Sequence, residues 1–134
     1  MAEHRKVIWL LLYIIPCLFL AWYNARLIKK GKHIYHALNG ALHISVAAIS
    51  FFVLKDWKAP IVILLIAKLF FDTALNLMRG LSIDYVSPEV IAYTSLKEAF
   101  KKGKVTDYIE WKLFRSSAIP KIIYILLIVI LIVI

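Results

Sequence analysis

Between Ala59 and Gly80 the chain reads APIVILLIAKLFFDTALNLMRG, an apolar stretch of helix length that carries Lys68, Asp72, Asn76 and Arg79. Wound at about 100° per residue, these four fall at roughly 0°, 40°, 80° and 20°, one narrow stripe on an otherwise apolar helix. An ammonium, a carboxylate, an amide and a guanidinium in one line can pass a proton, bind an ion or hydrogen-bond a neighbouring helix. Each ionisable group at membrane depth costs on the order of 2.5–3.5 kcal/mol even on lenient insertion scales, so something polar must face the stripe. The segment just before it offers His33, His36, Asn39, His43 and Ser50, which lie within about 120° of one another on a helical wheel.

The five residues Lys55 to Ala59 join the two segments, which forces them to be antiparallel neighbours. Facing positions then sum to about 113, placing His43 beside Phe70, Asn39 beside Ala74 and His36 beside Leu77, each within a turn of the stripe. Two readings of this polar set are open. As a proton or metal site, imidazole and carboxylate converge from two helices in a low-dielectric setting. Against a metal, His36 and His43 are about 10 Å apart along a helix, and the HExxH and di-iron ExxH patterns are absent from the sequence. As helix glue, Lys68 and Asp72 form an i,i+4 ion pair while His and Asn side chains bond across the hairpin, each bond contributing about 0.6 kcal/mol. We favour glue: an intramembrane polar network of His36, Asn39, His43, Lys68, Asp72, Asn76 and Arg79, with no metal and no cofactor. Ser116, Ser117 and the histidines have no spacing that specifies acyl transfer, and no glycine-rich phosphate loop is present. We therefore expect no catalytic residues and no enzyme.

Hydrophobic residues make up 63% of the 134, with 17 Lys and Arg against 8 Asp and Glu. A soluble domain of this size does not combine such a composition with a block like IIYILLIVILIVI. The expected fold is all-α, a single integral membrane helical bundle over 1–134 with four transmembrane spans near 7–25, 33–54, 59–79 and 118–134. One or two interfacial amphipathic helices should lie within 80–117. Pro16 should kink the first span. Gly80 suits a helix C-cap, Ser87-Pro88-Glu89 a helix start, Ser95 with Glu98 a capping box, and Thr106-Asp107 a further cap. The N-terminal run resembles a signal peptide in its basic start, but it is long and lacks a small-x-small cleavage site, so we expect it to be retained. Cys17, the single cysteine, excludes an internal disulfide and reads as a small buried hydrophobe.

Basic residues cluster at one end of the spans. Arg26, Lys29, Lys30 and Lys32 follow the first, and Lys101, Lys102 and Lys104 lie with Trp111 in the long segment before the last. These eight are the expected contacts with lipid headgroups or a partner. Leaving out Lys68, four Lys and Arg fall on the side of Arg5 and Lys55 and twelve on the other. By the positive-inside rule, 26–32 and 80–117 are cytoplasmic and both termini lie outside. The partners this implies are the bilayer, its anionic headgroups, and a second copy or another membrane protein. Basic charge at membrane ends serves topology, and we expect no nucleic acid.

RLIKKGKHIYHALNG together with FFDTALNLMRGLSIDYVSP resembles small multispan membrane proteins of unknown function from Bacteroidetes and the phages that infect them. The resemblance implies a multispan membrane protein with a phage or virion-membrane role and brings no site residues. The function expected is structural, an assembly protein that oligomerises or docks a partner in the bilayer. A holin-like pore former and a proton- or ion-handling protein using the His and Asp stripe are the alternatives.

Overall fold

A computed structural model describes residues 3–32 and 36–134, with the side chains of 4–32 and 38–134. His33 lies outside the described residues, and so does the side chain of His36. The fold is all-helical, 79% helix with no strand among the described residues.

The first long helix, α1 (Glu3–Leu12) and α2 (Ile14–Lys29), is interrupted at Tyr13, one turn before Pro16. Pro16 has no N–H to give, and the chain answers with a tighter Tyr13 N–H to Leu10 C=O bond of 3.2 Å before resuming. Next come α3 (His36–Leu54) and the continuous helix Lys58–Met78. The latter consists of α4 (Lys58–Ile66), a π-helical turn (Ala67–Phe71) and α5 (Asp72–Met78). Three short helices follow, α6 (Pro88–Ala92), α7 (Leu96–Lys101) and α8 (Val105–Phe114), then α9 (Ala118–Val133). Three short helices thus stand where one or two were expected.

Two helices, His4–Lys29 and Lys58–Met78, are long and apolar enough to cross a membrane. A third crossing is available if α8 and α9, bent by 104°, count as one broken span. The expected second span contributes α3, of which Leu38–Leu54 counts as a shorter apolar helix. At 1.5 Å per residue His36–Leu54 is about 28 Å, close to the roughly 30 Å of a hydrocarbon core.

Glycine and serine set the ends. Gly31, Gly80 and Gly103 have φ of 68°, 76° and 70°, the left-handed region where other residues are strained. Each closes a helix by the same paired bonds; at Gly80, its N–H reaches Leu77 C=O at 3.0 Å and Leu81 N–H reaches Asn76 C=O at 2.9 Å. Ser87 and Ser95 cap α6 and α7, accepting from Glu89 N–H at 3.3 Å and Glu98 N–H at 3.2 Å. The expected cap at Thr106-Asp107 is not used. Helix α8 starts two residues earlier, straight out of the Gly103 turn, and Asp107 falls in its first turn.

The core lies where α1, α2, α3, α4 and α9 meet, through Cys17, Ala47, Val62, Ile66 and Ile128. Helix α3 packs along α4 as the hairpin requires, and α2 packs on α5. A second small cluster, Val90, Tyr93 and Ala99 against Tyr108 and Trp111, joins α6 and α7 to α8. That layer caps the end of the bundle where Gly31 and Gly80 turn, while Lys6 and Asp56, 3.8 Å apart, mark the opposite end.

Candidate functional site

Lys68 sits in the π-helical turn, midway along Lys58–Met78. A turn closing i→i+5 holds one more residue than its neighbours, so its side chains leave the regular 100° progression; such turns recur at functional sites. From there Lys68 gathers three carboxylates. It pairs with Asp72 one turn on, donates to Asp107 Oδ1 at 2.5 Å, and stands 3.0 Å from Glu110 Oε1. Asp107 and Glu110 are three residues apart on α8 and therefore share its inward face. One oxygen from each of the three carboxylates lies within 4.8 Å of the others, a spacing suited to a cation, and the Lys68 ammonium stands among them.

The carboxylates form part of the wall of a 260 Å³ cavity between α5, the capping layer and the start of α9. Asp72, Asn76 and Arg79 descend one side of it, Lys104 and Trp111 form another, and Ser116, Ser117 and Lys121 close the third. Lys68 lies behind the carboxylates rather than on the cavity wall. At the rim, Lys104 Nζ donates to Glu89 Oε2 at 3.0 Å, and this bond holds the Glu89 carboxyl below the usual carboxylate range. Burial and the nearby Glu89 push the Tyr93 phenol up to about 12.

No family model, curated protein or solved structure matches this chain.

The expected polar network is divided differently from its prediction. Lys68, Asp72, Asn76 and Arg79 do serve one side of their helix, but Lys68 finds its further partners, Asp107 and Glu110, on α8 rather than in His43 of α3. Asn39 reaches the first span instead of Ala74. Its Nδ2 donates to Asn24 Oδ1 at 2.9 Å, and Asn24 Nδ2 donates to Leu20 C=O at 2.8 Å, so the buried Asn24 amide is held at both ends. His43 also turns to the first span, sharing a 2.5 Å hydrogen bond with Tyr13, while its ring meets Phe71 edge-on at 5.5 Å. The hairpin register beside Phe70 thus brings His43 to Phe71.

Of the basic set, Arg26, Lys29, Lys30, Lys32, Lys101 and Lys102 are exposed. The Arg26 guanidinium covers the Trp22 ring at 5.1 Å. Lys104 and Trp111 are half-buried and belong to the cavity rather than to the outer surface. Asp107, Glu110 and Asn24 escaped the sequence reading. The available signal was an acidic i,i+3 pair beside Tyr108 and Trp111, on a helix whose aromatic side must face inward.

Proposed function

We propose that the chain is a non-enzymatic, multi-pass membrane protein with a structural or assembly role, docking a second copy of itself or another membrane protein along α3. One observation carries the reading. Ala41, Ser45 and Ala48 are exposed at i, i+4 and i+7 with Phe52, 73% exposed, a turn further on. At about 100° per residue these four fall within a 60° line, a smooth track of small side chains ending in one large knob. In hydrocarbon, where no hydrophobic drive joins helices, small residues favour association because they let backbones approach.

The same reading takes four crossings, α3 meeting the bilayer by local thinning and by Lys55 reaching the headgroups. Residues 26–32 and 80–117 are then cytoplasmic and both termini outside, supported by the basic residues clustered at one end and by the Lys6–Asp56 pair at the other. Exposed Lys29, Lys30, Lys101 and Lys102 meet anionic headgroups. The resemblance to small phage-associated multispan proteins supports placing the assembly in a cellular or virion membrane. A second reading, proton or ion handling, is favoured by the three carboxylates around Lys68 rather than by the histidines.

The test is native mass spectrometry of protein extracted gently from its own membrane. We expect a defined homo-oligomer or complex, and dissociation to monomer in an Ala41→Leu, Ala48→Leu double variant that keeps its helical circular dichroism. A wild-type monomer without company would sink the proposal.

A further inference from the structure

The cavity behind the capping layer is lined by three carboxylates and by the cations Arg79, Lys104 and Lys121. On one side, three carboxylates back onto a single ammonium. Glu110 is 9% exposed, and its Oε1 is turned to Lys68 at 3.0 Å. Asp107 keeps 46% of its side chain open. On the other side stand cations and an indole. Trp111 lines the wall with its indole N–H buried, while Asn76, half-buried, and Arg79, exposed, have no side-chain hydrogen bond or ion pair among the described residues.

We propose that the cavity binds a phosphoethanolamine group, the headgroup of an aminophospholipid. An anion alone would sit against three carboxylates, and a cation alone beside Arg79, Lys104 and Lys121. A zwitterion answers both. Its primary ammonium has three N–H donors for the Asp107 and Glu110 carboxylates, and its phosphate accepts from the Arg79 fork. Lys121, whose Nζ reaches only Ser117, and Lys104 add positive charge on the phosphate side. The lipid source rests on reading this layer as the one at the headgroups; the chemistry of the pocket does not.

The experiment follows the Trp111 indole ¹⁵N–¹H resonance of the full-length, delipidated protein in detergent, assigned with Trp111→Phe. Short-chain phosphatidylethanolamine should move it saturably, about tenfold more tightly than phosphatidylcholine, whose trimethylammonium donates no hydrogen bond, or phosphatidylglycerol, which has no amine. Arg79→Gln should weaken binding about tenfold, and Glu110→Gln should abolish the preference for ethanolamine over choline. Asp107→Asn serves the same purpose should Glu110→Gln fail to fold. Free phosphoethanolamine binding as tightly as the lipid would support the pocket's chemistry and assign it a soluble ligand, overturning the headgroup placement alone. Equal shifts from all three lipids, equal binding of inorganic phosphate, or an unmoved indole would each overturn the proposal.

Discussion

Lys68 holds its place because four charges on two helices agree about where it should be. Removing it as Lys68→Met leaves Asp72, Asp107 and Glu110 facing one another. We expect a loss on the order of 3 kcal/mol, near the lower bound for breaking a buried pair because water still reaches Asp107. Asp107→Asn leaves two carboxylates on Lys68 and should cost under about 1 kcal/mol. Denaturation in bicelles followed by tryptophan fluorescence checks both, and equal costs would contradict a lysine-centred cluster. Under the ion-handling reading, Asp107→Asn would also stop flux into proteoliposomes while the fold persists. The stripe itself was legible from spacing, but not its partners. Three histidines near one carboxylate are the louder signal in a sequence, and Asp107 and Glu110 are hidden among Tyr108, Ile109 and Trp111.

Among the elements, helix ends were the most readable feature, because Gly80, Gly103, Ser87 and Ser95 act through local backbone geometry alone. The π-helical turn was not readable, since AKLFF carries no residue type that demands it. It answers to what packs around Lys68, which is tertiary information. Helix α6 is joined to α8 by Glu89 and Lys104, and this joint has a pH dependence of fixed sign. The folded Glu89 carboxyl titrates below its unfolded value. Its contribution is therefore complete above the ordinary carboxylate range and is lost as pH falls through the lower, folded value. Amide exchange protection at Val90, Tyr93 and Ala99 should fall once the pH drops below the ordinary carboxylate range, and Glu89→Gln should remove that step. Protection that declines equally in both proteins would show that the joint does not carry it.

For the whole molecule, charge distribution argued sidedness and hydropathy argued a membrane, yet the number of crossings turns on α3 and α9, each at the margin of length. Cys17 is fully buried, so a membrane-impermeant maleimide should leave the native protein untouched. In a Cys17→Ala background, Lys30→Cys and Lys102→Cys should label from the cytoplasmic side only and Trp57→Cys only from the other. Labelling of all three from one side would refute four crossings with external termini. The elbow at Arg115, itself in the left-handed region at φ 50°, gives the molecule an L-shaped arm. Asp107 lies seven residues out along that arm from Phe114, about 10 Å at 1.5 Å per residue. Because α8 stands nearly square to α9, twisting α9 about its own axis by about 10° would sweep Asp107 sideways by about 2 Å, more than a hydrogen bond tolerates. The orientation of the last helix about its own axis is thereby tied to the two pairs that α8 makes with Lys68.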